Sequence, residues 1–358
     1  MEAAGGFTVT MRILVLGGTA WLGSEIVRVA VERGHEVTAL ARGESGSVPP
    51  GAAFVAADRE RDDAFTGVST AALTDTATGT GTGTGTGTDW DAVIDVARQP
   101  GQVRRAIEAL AARTAHWVYV SSASVYADTT TIGADESAPI KSALVGDVME
   151  SMETYGEAKV ACENLVLEGM GAEHVLIARA SLIGGPGDWS SRSGYWPWRF
   201  ARPSNDEGRV LIPDTPDVPV QVLDARDLAS WLVTAAERRT AGIATAGGET
   251  HTFAEHLEVA RTVTGFSGAL EVVGEDWLAE HGVEPWAGPR SLPLWLPAET
   301  IALNGHDVTR AAELGLRTRP LADTLRDALA WELERSPDTE RRAGLTDADE
   351  RELLAELI

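Results

Sequence analysis

Met11-Arg-Ile-Leu-Val-Leu-Gly-Gly-Thr-Ala-Trp-Leu-Gly23 is the stretch that decides the fold. A short apolar run breaks into glycines and then resumes with helical spacing. Arg12 to Leu16 reads as a buried first strand, and Gly17 and Gly18 allow a tight turn. The amides that follow, from Thr19 through Ala20, Trp21 and Leu22 to Gly23, fall at a helix N-terminus, where N–H groups without intrahelical partners attract a pyrophosphate. Gly23 lets the helix pack close to the strand. Two glycines in a βα turn are common, so the reading needs support from the rest of the chain.

Working outward, Trp21 to Arg33 carries apolar residues at helical spacing, and Gly34 closes it as a C-cap. Glu36 to Ala41 reads as a second strand, Ala53 to Ala56 as a third and Asp91 to Val96 as a fourth. A helix over Gln102 to Arg113 then leads into a strand over Trp117 to Ser121. A second long helix spans Ser151 to Glu168, with a strand over His174 to Ala180. This alternation predicts an α/β fold, a Rossmann-type doubly wound parallel sheet covered on both faces. Thr76 to Thr88 is a near-pure Thr-Gly repeat that cannot bury a core and reads as a mobile surface loop.

Beyond Gly184 the texture becomes rich in Gly, Pro and Trp, with strand and helix returning at Val218 to Leu223 and Leu228 to Glu237. The predicted organisation is an extension over 1–10, with Met11 as an alternative start, and a dinucleotide-binding domain over 11–183 with returning elements at about 218–245. A smaller interleaved substrate lobe takes 184–217 and 246–335, followed by a helical tail over 336–358. Thr346 and Asp349 have the spacing of a cap for a last helix, which docks on the body or on a partner chain.

The chain has 358 residues, 44% of them hydrophobic, which is enough for a large core, and no apolar run of membrane-spanning length. No signal peptide is evident, and one cysteine, Cys162, suits a reducing cytoplasm better than a disulfide framework. A formal charge of −24 makes broad contact with nucleic acid costly. Seven scattered histidines and the carboxylates form no metal-binding motif, so no metal is expected.

Tyr155-Gly-Glu-Ala-Lys159 lies on the second long helix, and the spacing of four puts both side chains on one face. An ammonium beside a phenol favours the phenolate, as a general acid or base requires. The strand from Trp117 ends in Ser121-Ser-Ala-Ser-Val-Tyr126, bringing hydroxyls to the carboxyl edge of the sheet. Glycine turn, strand-end serine and helical Tyr-x-x-x-Lys, in that order, resemble the short-chain dehydrogenase/reductase superfamily. The resemblance is closest to its extended and atypical branch, the NAD-dependent epimerase/dehydratase family, and covers about Met11 to Leu333. Gly185-Pro-Gly-Asp188 and Asp224-x-x-Asp227-Leu-Ala belong to it as well.

The resemblance implies Tyr155 as proton donor or acceptor, Lys159 as partner of the nicotinamide ribose, and Ser122 as the group that orients the substrate oxygen, with Ser124 as the alternative. It also implies cofactor contacts from Asp58 and Arg59 after strand three, from Val96-Ala97-Arg98 after strand four, and from Ser181. Four departures sharpen it. Ala20 replaces the middle glycine of the fingerprint. Ala41-Arg42 stands where NAD-preferring members have an Asp, which favours a 2′-phosphate and hence NADP(H), with NAD(H) the alternative. Ala123 and Ser124 stand where dehydratases carry an acidic pair, and Val220-Gln221 and Ser291 to Pro297 stand where nucleotide-sugar epimerases carry diphosphate-binding arginines. Arg192, Arg199 and Arg290 are the cations that could substitute.

Of eleven tryptophans, Trp189, Trp196, Trp198 and Trp295 lie in the irregular part of the second lobe and are candidates for a substrate pocket; packing of that lobe is the alternative. The expectation is therefore an NADP(H)-dependent oxidoreductase acting on a carbonyl or carbinol of a relatively apolar or non-nucleotide small molecule. A sugar epimerase with a transient keto intermediate is the enzyme alternative, and a non-catalytic dinucleotide-sensing protein the alternative of another class. RNA binding is the weakest reading for so acidic a chain. Homodimerisation is common in the superfamily and is expected on that ground alone.

Overall fold

The computed structural model describes residues 9–71, 89–336 and 339–357. The Thr-Gly repeat and nearly all of the 1–10 extension lie outside the described residues.

In the first half β1 (Arg12–Leu16), α1 (Trp21–Glu32), β2 (Glu36–Ala41), β3 (Ala53–Ala56), α2 (Thr66–Ala71), β4 (Ala92–Asp95), α3 (Pro100–Leu110), β5 (Trp117–Ser122), α4 (Tyr155–Met170) and β6 (Val175–Ala180) alternate along the chain. After them come β7 (Leu182–Gly184), α5 (Tyr195–Ala201), β8 (Val210–Pro213), β9 (Pro219–Asp224), α6 (Ala225–Arg238) and β10 (Gly242–Ala246). The C-terminal elements are β11 (Thr250–Thr252), α7 (Phe253–Thr264), β12 (Leu270–Val273), α8 (Glu275–Glu280), α9 (Thr309–Glu313), α10 (Leu321–Glu334) and α11 (Asp347–Ala355).

β10, β6, β5, β4, β1, β2 and β3 form, in that order, a seven-stranded sheet whose pairs are all parallel. This is the Rossmann-type doubly wound sheet. Strand order reverses between β1 and β4, and the crevice at the carboxyl ends of those strands is where such sheets hold ligands. The period of two along β1 sorts its side chains. Ile13 and Val15 join one core with Ile26, Val27 and Ala30 of α1 and Leu228, Ala229 and Leu232 of α6. Leu14 and Leu16 join the opposite core with Val103 and Leu110 of α3 and Cys162 and Val166 of α4. Each such fully buried aliphatic side chain contributes about 1.5–3 kcal/mol. Burial pushes the Cys162 thiol up to about 11, so it packs as an unreactive apolar group.

Outside the seven-stranded sheet, β11, β9 and β7 form a three-stranded sheet and β12 and β8 a parallel pair. A further core gathers Trp196, Trp198, Phe253, Leu292, Trp295, Leu325 and Leu354. α11 starts at a capping box in which Thr346 accepts from the Asp349 amide, and it docks on the body of the same chain. Arg199 pairs with Asp347 and Glu350, and Arg290 with Asp349 and Glu352. Among the described residues, no helix is long and apolar enough to cross a membrane.

Candidate functional site

β1 ends at Leu16, and the chain turns at Gly17 with φ +95°, a backbone region in which a Cβ is strained. The Gly17 amide donates to the Leu40 carbonyl at 2.8 Å, tying the turn to β2. A Cβ on Gly23 would stand 2.1 Å from the Gly17 carbonyl oxygen, so only glycine lets α1 approach the turn this closely. No side chain caps α1 at Ala20, as none caps α3, α4, α5 or α10, so the first amides of α1 stay open beside the turn. The turn opens on a cleft of about 300 Å³ at the strand-order reversal. A glycine cradle, a bare helix start and this cleft fit a dinucleotide.

Of the residues singled out from the sequence, Gly17, Thr19, Ala20, Arg42, Asp58, Arg59, Val96, Ala97 and Arg98 line the cleft. Trp21, Leu22, Gly23 and Ser181 do not. Trp21 donates from Nε1 to the Pro186 carbonyl, Leu22 packs on the core beneath, and Ser181 Oγ meets Gln221 Oε1 at 3.3 Å. Arg59 lines the cleft, but both its terminal nitrogens are engaged. They donate to the two carboxylate oxygens of buried Asp95, each at 2.8 Å, and one also reaches the Gln102 carbonyl. Asp95 in turn accepts from the Ala97 amide, so this pair fixes the cleft floor and is not a free ligand group. Arg42 pairs with Glu44 at 3.2 Å. Glu44 lines the same cleft, and no motif or spacing in the sequence marks it.

At the far end of β5, Ser122 Oγ accepts from the Ser124 amide and donates to Ser124 Oγ, both at 3.1 Å. α4 begins at Tyr155, and its second residue explains where it docks. A Cβ on Gly156 would lie 2.1 Å from the Ser124 carbonyl oxygen, so the helix start rests directly on the serine turn. Tyr155 is half-buried, and its hydroxyl has no protein hydrogen-bond partner among the described residues. Lys159 is buried and uses its ammonium on the Ala97 and Val120 carbonyls, each at 2.7 Å, and on Tyr119 Oη at 3.1 Å. Its Nζ lies 6.0 Å from the Tyr155 ring centroid. A ring of buried polar groups supports the serines from below, with Arg179 bound to Glu163 and Ser121 donating to Glu163.

The tryptophans are not drawn to this cleft. Trp196 is fully buried and donates to the Pro293 carbonyl; Trp198 lies under Arg341, and Trp295 donates to Glu275. These three build the lobe's core, which has few long regular elements to fill it. Trp189 is 54% exposed beneath Arg342. Among the described residues no three His, Cys, Asp or Glu side chains gather as a metal site.

The structure is similar to UDP-N-acetylglucosamine 4-epimerase from Bacillus cereus, with 17% identity over 93% of this chain and 100% of that one and a TM-score of 0.62. It is also similar to the Bordetella bronchiseptica enzyme WbmH, solved with NAD+, with 15% identity over 91% and 99% of the two chains and a TM-score of 0.62. A third similar structure is dTDP-glucose 4,6-dehydratase from Bacillus anthracis str. Ames in complex with NAD, with 14% identity over 91% and 98% and a TM-score of 0.61. No curated protein matches the sequence. The model of the NAD dependent epimerase/dehydratase family matches residues 13–246, the span that contains the glycine turn, the serine turn, Tyr155 and Lys159. The chain belongs to that family of enzymes.

Proposed function

We propose that this enzyme interconverts a carbonyl and a carbinol on a small molecule that carries no nucleotide diphosphate, with NADP(H) as the preferred dinucleotide. The observation that supports the chemistry is the seat of Gly156 on the Ser124 carbonyl, which sets the start of the Tyr155 helix directly on the Ser122–Ser124 turn at the end of β5. A bound nicotinamide supplies or accepts the hydride there. Tyr155 gives or takes the proton at the substrate oxygen, and Ser122 orients that oxygen through a hydroxyl already held by Ser124. Lys159 anchors the cleft floor and keeps a positive charge beneath the Tyr155 ring.

Two features support a non-nucleotide substrate. β9 carries Val220-Gln221 with no arginine, and Arg199 and Arg290 are committed to carboxylates of α11. Preference for NADP(H) is supported by Arg42 next to Ala41, although Glu44 must release Arg42 for a 2′-phosphate. An epimerase that retains its dinucleotide is the second reading, favoured by the epimerases among the similar structures, and it consumes no NADPH in net turnover.

The test is titration with NADPH and NADH, followed by tryptophan quenching, in wild type, Arg42→Ala and Glu44→Gln. NADPH is expected to bind more tightly than NADH, with Arg42→Ala weakening NADPH about tenfold, a loss near 1.4 kcal/mol, and leaving NADH unchanged. Tighter NADH binding overturns the preference, and binding of neither overturns the oxidoreductase reading.

A further inference from the structure

We propose that Arg192 is the anchor for a single oxyanion, a carboxylate or a phosphate, on the substrate; this rests on the reading of the cleft as the site of dinucleotide chemistry. Among the described residues of the second lobe, Arg192 is the half-buried arginine with no carboxylate within 4 Å. Its counterparts Arg199, Arg226, Arg290, Arg319, Arg335 and Arg341 each pair with Asp or Glu.

Arg192 is held for this task by its neighbours. Its Nε donates to Ser190 Oγ at 3.1 Å, and its guanidinium lies 4.7 Å over the Trp286 ring. Ser190 is in turn fixed by donation to Asp188 Oδ1 at 2.6 Å. Asp188 is itself saturated. One oxygen accepts from the Ser190 amide and hydroxyl, and the other from the Ser193 amide and hydroxyl. It therefore organises the turn and, with no ion pair to Arg192 within 4.0 Å, attracts the arginine only at longer range. Among the described residues Nη1 and Nη2 of Arg192 have no protein partner, presenting the planar fork that matches an oxyanion in bidentate fashion.

Two further observations agree. Ser191 and Trp286, which flank and carry the cation, both have left-handed backbones, with φ 61° and 68°. Strain of this kind, about 1–3 kcal/mol each, persists where surrounding structure enforces a particular side-chain placement. Burial also pushes the Arg192 pKa down, against the pull of Asp188 and Tyr155, and the Trp21–Pro186 hydrogen bond ties the turn that carries Arg192 to the first turn of α1. One open guanidinium suits one oxyanion and falls short of the paired cations that a diphosphate requires. In a chain of charge −24 it is also the local attraction an anionic substrate needs.

The test is calorimetric titration of the full chain, saturated with whichever dinucleotide it binds, using phenylacetate, phenyl phosphate and the uncharged 2-phenylethanol. At least one anion is expected to bind tenfold or more tightly than the alcohol, and comparison of the two anions identifies which oxyanion is preferred. Arg192→Gln is expected to lower the anion affinity at least tenfold while the dinucleotide Kd stays within twofold, and Arg192→Lys to fall between. Trp286→Leu, which removes the platform, is expected to weaken the anion at least threefold and serves if the Arg192 variants do not fold. Equal binding of anion and alcohol, absence of anion binding, or an unchanged anion affinity in these variants overturns the proposal. If no dinucleotide binds, it is the reading of the cleft that fails, and the phenylacetate titrations on the free protein still decide the role of Arg192.

Discussion

Trp21 and Pro186 stand 165 residues apart in the chain and are joined by a 2.8 Å hydrogen bond from the indole Nε1 to the Pro186 carbonyl. The next residue, Gly187, approaches so closely that a Cβ there would lie 2.6 Å from the same indole nitrogen. The first turn of α1 and the turn that carries Arg192 are therefore one structural unit. Trp21→Phe keeps an aromatic ring but removes the donor together with part of the indole's bulk. It is expected to cost about 1 kcal/mol of stability and to weaken dinucleotide binding severalfold, measured by urea unfolding and by titration. A change in neither would detach the indole from both roles.

Gly23→Ala places a methyl 2.1 Å from the Gly17 carbonyl oxygen, so either the turn or α1 must shift. Dinucleotide affinity is expected to fall at least tenfold. Gly274→Ala is the control, since φ there is −72° and nothing lies within 4 Å of the new methyl. Its affinity is expected to equal that of wild type.

Tyr155 and Lys159 share a helix face but stand in different surroundings. Tyr155→Phe removes a hydroxyl without a protein partner among the described residues, so thermal stability is expected to hold while turnover falls at least about a hundredfold. Lys159→Met strips the Ala97 and Val120 carbonyls of a buried donor and is expected to lose about 2–4 kcal/mol of stability as well as activity. Calorimetric melts beside turnover assays separate the two, and equal melting temperatures would contradict the structural role of Lys159.

His116, His256 and His306 are buried, and burial lowers their pKa values from 6.5 to about 4, 3 and 4. They are neutral in the folded chain at pH 5, whereas the unfolded chain binds protons there. Their contribution to stability is present in full above pH 6.5 and is lost as the pH falls toward 4. Urea unfolding at pH 7 and pH 5 is expected to differ by about 1–2 kcal/mol per histidine, with a smaller difference in His256→Gln. Equal stabilities at the two pH values would contradict this.

The sheet was legible because its signals are local. The alternation of Ile13 and Val15 with Leu14 and Leu16, the break at Gly17 and the stop at Gly34 operate over a few residues, and β1, α1, β2 and β3 lie within one residue of where periodicity sets them. The second lobe was less legible. α5, β8, β12 and α8 are short, and their apolar residues answer to partners far along the chain rather than to a local period. Trp196, Trp198 and Trp295 looked available for ligand for that reason, since sequence shows a side chain's chemistry but not its neighbours.

By itself the sequence determined the parallel α/β architecture, the glycine turn, and the order of serine, tyrosine and lysine, because backbone propensity and side-chain period are properties of adjacent residues. Only the tertiary structure decided which charged groups are spent and which remain open. Arg59 is engaged by Asp95, Arg199 and Arg290 by α11, and Lys159 by two carbonyls, while among the described residues nothing engages the terminal nitrogens of Arg192. The physical reason is that an ion pair depends on a separation of a few ångströms between groups that can stand a hundred or more residues apart, and chain folding alone sets that distance.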